Sequence, residues 1–157
     1  MKINYLSKRE IKQISREILE RTGIDFQPER VMELDDALVL INRGFMIYDK
    51  RHNVYYPFLA DKMAEQLPKL EVDQGAVESI KRGANVMRPG VTGIDSRLRR
   101  GQPVLIKHNG EPIAIGISQM DYEEALSARS GVVAKNVHRP KDRTWIAIAE
   151  FIKKYGV

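Results

Sequence analysis

The stretch from Gly75 to Val91, GAVESIKRGANVMRPGV, leaves its backbone few choices. Pro89 has no N–H to give to a strand ladder, so a strand over Val86 and Met87 must stop at Pro89-Gly90. Upstream, Ala76, Val77 and Ile80 recur at helical spacing, and Asp73 is a capping residue in front of them. Gly83 can take the left-handed turn that ends a helix. A short helix, a tight glycine turn and a brief strand are therefore expected in that order. Lys81, Arg82 and Arg88 surround the turn with positive charge, and exposed amides with cations make a cradle suited to a phosphate backbone.

The pattern GAN-x-M-x-PG, here Gly83, Ala84, Asn85, Met87, Pro89 and Gly90, together with VDQGA at Val72 to Ala76, resembles the opening of a PUA domain. This RNA-binding module is named after pseudouridine synthases and archaeosine transglycosylases. Among PUA proteins the chain is similar to the malignant T-cell amplified sequence family and its archaeal relatives. YYPFL at Tyr55 to Leu59, GVVAKNVH at Gly131 to His138 and the following Trp145 carry that narrower likeness. The resemblance implies a C-terminal PUA module behind a smaller N-terminal (pre-PUA) domain.

Charge divides the chain in the same place. Residues 1–67 carry no net charge, and residues 68–157 carry all of the +5. Between residues 79 and 110, Lys81, Arg82, Arg88, Arg97, Arg99, Arg100 and Lys107 face only Asp95. Clustered cations point to a polyanionic partner, with an ordinary solvated basic face as the plain alternative.

In the N-terminal part, Ser7 and Glu10 form a capping-box pattern for an amphipathic helix over Ser7 to Arg21. From Arg30 to Val54, short apolar runs alternate with the turn pairs Asp35-Asp36, Arg43-Gly44 and His52-Asn53, an antiparallel meander. Phe58 to Gln66 reads as a helix stopped by Pro68, where the boundary is placed. Thr92 to Gly101 reads as an arginine-rich loop. Pro103 to His108, Asn109-Gly110 and Pro112 to Met120 form the clearest hairpin, because Asn-Gly favours a type I′ turn. In its second strand Ile113, Ile115 and Ile117 are expected on one face, opposite Ala114, Gly116 and Ser118. A helix from Asp121 to Arg129, closing strands over Val132 to Val137 and Thr144 to Ile148, and a helical turn over Phe151 to Tyr155 complete the chain. The fold class is α+β: a small α/β meander domain over residues 1–67, packed on a PUA pseudo-barrel of short strands with two helices over residues 68–157.

Catalytic patterns are missing from the sequence. His52, His108 and His138 are widely separated and there is no cysteine, so no metal-ligand spacing occurs. No Walker-type loop, no dinucleotide-binding glycine pattern and no Gly-x-Ser-x-Gly elbow is found. The longest apolar run, Ala37 to Ile41, is too short to span a bilayer. The expectation is a cytoplasmic non-enzyme without metal or cofactor.

The PUA resemblance implies an RNA groove along the first helix of the module, the glycine turn, the next strand and the final strand. Its residues here are Lys81, Arg82, Gly83, Ala84, Asn85, Val86, Met87 and Arg88, with Lys135, His138 and Arg139 from the closing strands. The relatives tend to carry an aromatic residue after the position of His138. This chain has Arg139-Pro140-Lys141, a departure that favours charge over base stacking. The resemblance further implies tRNA or rRNA as ligand, association with the small ribosomal subunit, and a density-regulated-protein-like partner. Two other readings share the same residues: a detached RNA-positioning subunit of a tRNA-modifying enzyme, and a protein-interaction scaffold.

Overall fold

The computed structural model describes residues 2–156. Five antiparallel strands form the first sheet in sequence order: β1 (Lys2–Tyr5), β2 (Arg30–Glu33), β3 (Ala37–Ile41), β4 (Phe45–Asp49) and β5 (Val54–Pro57). The turns between β2 and β5 fall at the predicted Asp35-Asp36, Arg43-Gly44 and His52-Asn53 pairs, whereas β1 was not expected. Helix α1 (Lys8–Thr22) starts on the predicted capping box: Glu10 N–H donates to Ser7 Oγ, and Ser7 N–H donates to Glu10 Oε1. Its buried Ile18 packs into the core that Met32, Val39 and Ile47 supply from the sheet.

The second sheet contains β6 (Lys69–Val72), β7 (Val86–Met87), β8 (Val91–Ile94), β9 (Pro103–His108), β10 (Glu111–Ser118) and β11 (Val132–His138). Its order is β7-β11-β10-β9-β6-β8, with β6 and β9 the one parallel pair. The two edge strands, β7 and β8, are joined only by the turn Arg88–Gly90. The sheet therefore curls into a nearly closed barrel. Helices α2 (Gln74–Lys81) and α3 (Tyr122–Ser127) accompany it. At the hairpin tip Asn109 and Gly110 both have positive φ, 48° and 78°, as a type I′ turn requires.

Three expected elements differ. Phe58 to Gln66 is a turn at Leu59 and Ala60 followed by a 3₁₀ helix over Lys62–Gln66 that Asp61 caps, not an α-helix. Thr92 to Ile94, expected in a loop, belong to strand β8 (Val91–Ile94). Thr144 to Ile148, expected as a closing strand, belongs to helix α4 (Arg143–Tyr155). The β-branched and aromatic residues there favour a strand locally, but the Asp142 carboxylate accepts the Trp145 N–H at 2.8 Å and starts a helix. Ile148 and Phe151, three residues apart, then share the buried face.

Strand β10 also departs from simple alternation. Its register shifts between Pro112 and Ala114 against β9, and between Ile115 and Gly116 against β11. Ile113 and Ala114 consequently both face the barrel core, while Ile115 packs into the first core. Gly116 is required because a side chain there would lie 3.0 Å from both Ala134 Cβ and Ile106 Cδ1.

The apolar cluster of the first sheet continues into the second half, taking in Leu105, Ile115, Ile148 and Phe151. Burial of side chains this large contributes about 1.5–3 kcal/mol each. The junction is also hydrogen-bonded. Asp95 accepts the Lys69 N–H and pairs with Arg97, whose guanidinium also donates to the carbonyls of Gln66 and Leu67. The side-chain hydrogen bond from Arg97 is the main reason that the Asp95 carboxyl is held down at about 2.

A carboxyl lowered on folding stabilises the protein fully above its unfolded value near 3.8, and the contribution disappears as pH falls through about 2. Asp95→Asn is expected to lower stability at neutral pH and to flatten the acid-induced loss in that window, read from urea unfolding at a series of pH values.

Candidate nucleic-acid interface

Helix α2 begins as expected, with Asp73 Oδ1 accepting the Ala76 N–H at 2.9 Å. It ends through Arg82 into Gly83, whose φ of +107° is one that side-chain-bearing residues avoid. The Gly83 and Ala84 amides donate back to the carbonyls of Ile80 and Ser79, both at 2.9 Å. The chain then enters β7, antiparallel to β11 with Ala134 opposite Val86.

Asn136 holds the turn against β11. Its side-chain amide donates to the carbonyls of Ile80 (2.8 Å) and Ala84 (3.0 Å), and its own N–H donates to Asn85 Oδ1 (3.0 Å). Sequence reasoning missed this residue, although it lies inside the GVVAKNVH signature. Its only signal was an amide side chain in a strand of otherwise mostly apolar residues.

Arg139 closes the other side. A Cβ built on Gly83 would lie 2.8 Å from the Arg139 guanidinium carbon, so that group rests directly on the glycine. Lys81, Arg82, Ala84, Asn85 and Lys135 are exposed. Lys81, Arg82, Lys135 and Arg139 have no carboxylate partner among the described residues. Met87, 47% exposed, lies with Pro89, Ser79 and Asn85 along a hollow of about 330 Å³ beside α2.

Three expected contact residues are used differently. Val86 is wholly buried in the barrel core, because the strand that carries it seals the barrel. Arg88 is half-buried and donates to the carbonyls of Ala125 (2.7 Å) and Val91 (3.1 Å), fastening the turn between the two edge strands. His138 has no exposed surface. Its Nε2 accepts the Leu59 N–H at 3.1 Å, its Nδ1 donates to Asp142 Oδ2 at 2.8 Å, and its ring stacks on Tyr56. An imidazole engaged at both nitrogens is a structural pin between the two halves, with no donor left for RNA. Other cations of the basic cluster are likewise occupied: Arg97 by Asp95, Arg100 by Glu124, and Lys107 by Glu65.

Burial alone would raise the Asp142 carboxyl, but hydrogen bonds from His138 and from the Trp145 and Arg139 amides outweigh it and hold the group below its ordinary value.

Residues 68–140 match the family model of the PUA domain. That segment, just under half of the chain, is PUA-like. The chain is 27% identical over 153 residues to an uncharacterised protein of Methanocaldococcus jannaschii, covering 90% of this chain and 93% of that one. It is 24% identical over 154 residues to Malignant T-cell-amplified sequence 1 of Rattus norvegicus, covering 86% and 85%. To Translation machinery-associated protein 20 of Schizosaccharomyces pombe the identity is 30% over 98 residues, covering 59% and 54%. Among solved structures, a protein of Pyrococcus horikoshii superimposes with a TM-score of 0.77 at 24% identity, covering 93% and 99%. A chain of an H/ACA ribonucleoprotein bound to a substrate RNA gives 0.50 at 26% identity, covering 59% and 29%. The PUA likeness carried by the GAN-x-M-x-PG pattern and the mixed α+β architecture read from the order of short strands and helices are thus both found.

Two substitutions test the local account. Gly83→Ala is expected to cost about 1–2 kcal/mol for its left-handed backbone and to displace the Arg139 guanidinium. A thermal scan and the Arg139 side-chain NMR resonance measure the two effects. Asp142→Ala removes a helix cap and the acceptor of a buried imidazole N–H, so about 2–4 kcal/mol of stability should be lost in chemical denaturation.

Proposed function

We infer that this protein binds RNA at the Gly83 turn and acts in translation, at tRNA or the ribosome, without catalysing a reaction. The observation that carries the reading is the set of cations without carboxylate partners around a turn fixed by Asn136. Lys81 and Arg82 come from one end of the PUA segment, and Lys135 and Arg139 from the other. Cations left without partners beside a rigid turn suit phosphate contacts, which supply most of the affinity in such interfaces. The PUA module itself, the translation-associated name of the fission-yeast relative and the RNA-bound neighbour support the same reading.

In this reading residues 1–67 form an accessory domain and residues 68–157 the RNA-binding unit, with α4 returning to pack on the accessory core. Binding to the small ribosomal subunit, pairing with a density-regulated-protein-like partner and a cytoplasmic location belong to it as well. No described helix is long and apolar enough to cross a membrane. A 38% identity over 85 residues to a probable tRNA pseudouridine synthase B of Korarchaeum cryptofilum, covering 52% of this chain and 26% of that one, favours a second reading, an RNA-positioning subunit of a tRNA-modifying enzyme.

The triple variant Lys81→Ala, Arg82→Ala, Arg139→Ala is expected to weaken tRNA binding and to flatten the log–log salt dependence by roughly 2–3, about one phosphate contact per cation. Wild-type affinity and slope in that variant would remove the basis of the proposal. Capture from lysate separates the two readings: ribosomal proteins for translation, a synthase or transglycosylase for modification.

A further inference from the structure

A groove of about 510 Å³ lies between the first sheet and the end of β11. One side is formed by Asp36, Arg51 and His52 from the turns of the meander, the other by Lys135, Arg139 and Arg143 from β11 and the start of α4. Asn136, which pins the Gly83 turn, also lines this groove, and Arg139 reaches from it onto Gly83. The groove and the glycine notch are therefore one continuous surface.

The groove also holds three carboxylates, and each is engaged with protein groups. Asp49, 7% exposed, accepts the amides of Arg51 and His52, the His52 ring N–H and the Tyr56 hydroxyl. Asp142 is held by His138 and by the Arg139 and Trp145 amides. Asp36 pairs with Arg51 at 2.9 Å. The Arg51 and Arg143 side chains are nevertheless 69% and 66% exposed, and Arg143 reaches only Asp35, at 4.0 Å. Exposed pairs of this kind hold their partners weakly, so a polyanion can exchange with them. Asp49 and Asp142 are turned into the protein, Asp36 is paired, and the cations point outward.

We propose that this groove carries the RNA backbone onward from the Gly83 turn, with Arg51 and Arg143 joining Lys135 and Arg139 as phosphate contacts. The N-terminal half then belongs to the RNA surface. This extension rests on the RNA-binding reading above. An acidic protein segment would meet the same cations; continuity with the glycine turn favours RNA.

The test is the double variant Arg51→Glu, Arg143→Glu, with tRNA and a single-stranded RNA pentanucleotide as probes at one fixed salt concentration. Both side chains are exposed, so the thermal midpoint should stay close to that of wild type. Affinity for tRNA is expected to fall about tenfold or more, while the pentanucleotide, short enough to stay in the notch, changes by less than about twofold. An equal fall for both probes would reduce the effect to a long-range field and overturn the proposal. Unchanged tRNA binding would overturn it too, leaving the groove to an acidic protein. A second variant, Asp36→Asn, frees Arg51 and should tighten tRNA binding by about two- to threefold; no gain counts against the groove. Wild-type protein that binds neither probe would instead sink the RNA-binding reading, and the extension with it.

Discussion

Three residues, Arg88 to Gly90, join strands that occupy opposite edges of a six-stranded sheet, and the barrel follows from that fact. Laid flat at about 4.8 Å per strand, the edges would be roughly 24 Å apart. The four peptide steps from Met87 to Val91 reach about 14 Å at most. The sheet has to roll. Rolling sets β7 against β11, and that contact brings Asn136 within hydrogen-bond reach of Asn85, where it can hold the glycine turn. Arg88 is the clasp of this closure. Its two carbonyl contacts and the hydrogen bond from its amide to Gly131 leave it part of the frame rather than of the binding surface.

A second constraint acts where β11 ends. His138 is inserted between Leu59 and Asp142, so the N-terminal half, the last strand and the terminal helix meet at a single imidazole. Accepting an amide N–H at Nε2 while donating from Nδ1 defines the neutral tautomer. Asp142 also accepts the Arg139 amide, which fixes the backbone from which the Arg139 side chain reaches Gly83. The element that seals the two halves thus also aims one of the cations at the turn.

Much of this was legible in the sequence. Capping patterns at Ser7 and Asp73, the Asn109-Gly110 hairpin and the Gly83-to-Gly90 pattern are local, and each fixed its element because capping and turn chemistry involve neighbours in the chain. What could not be read was set by distant partners. The segment Thr144 to Ile148 has strand-like composition, and its helix depends on a cap tied to His138 and an apolar face directed at the first sheet. Ile115 leaves the alternation of its strand because register shifts on both sides turn it toward the other core. In the candidate site the sequence identified the turn and its cations. It could not show that His138 and Val86 are buried and Arg88 half-buried, since burial depends on the closing of the barrel.

The same distinction governs charge. A count of basic residues between 79 and 110 gives a strongly positive segment, yet the fold assigns Arg88, Arg97, Arg100 and Lys107 to carbonyls and carboxylates. Lys81 and Arg82 at the end of α2 have one structural justification, the negative pole of an eight-residue helix. That field fades within a turn and does not account for Arg139, which arrives from more than fifty residues downstream and sets its guanidinium on the next residue, Gly83. Bringing like charges together in the folded state costs Coulomb energy that a nearby carboxylate would relieve, and none is paired there. A fold that places its acids at the junction and in buried pins, and leaves these cations uncompensated at a rigid turn, retains a repulsion that a polyanion would remove on binding.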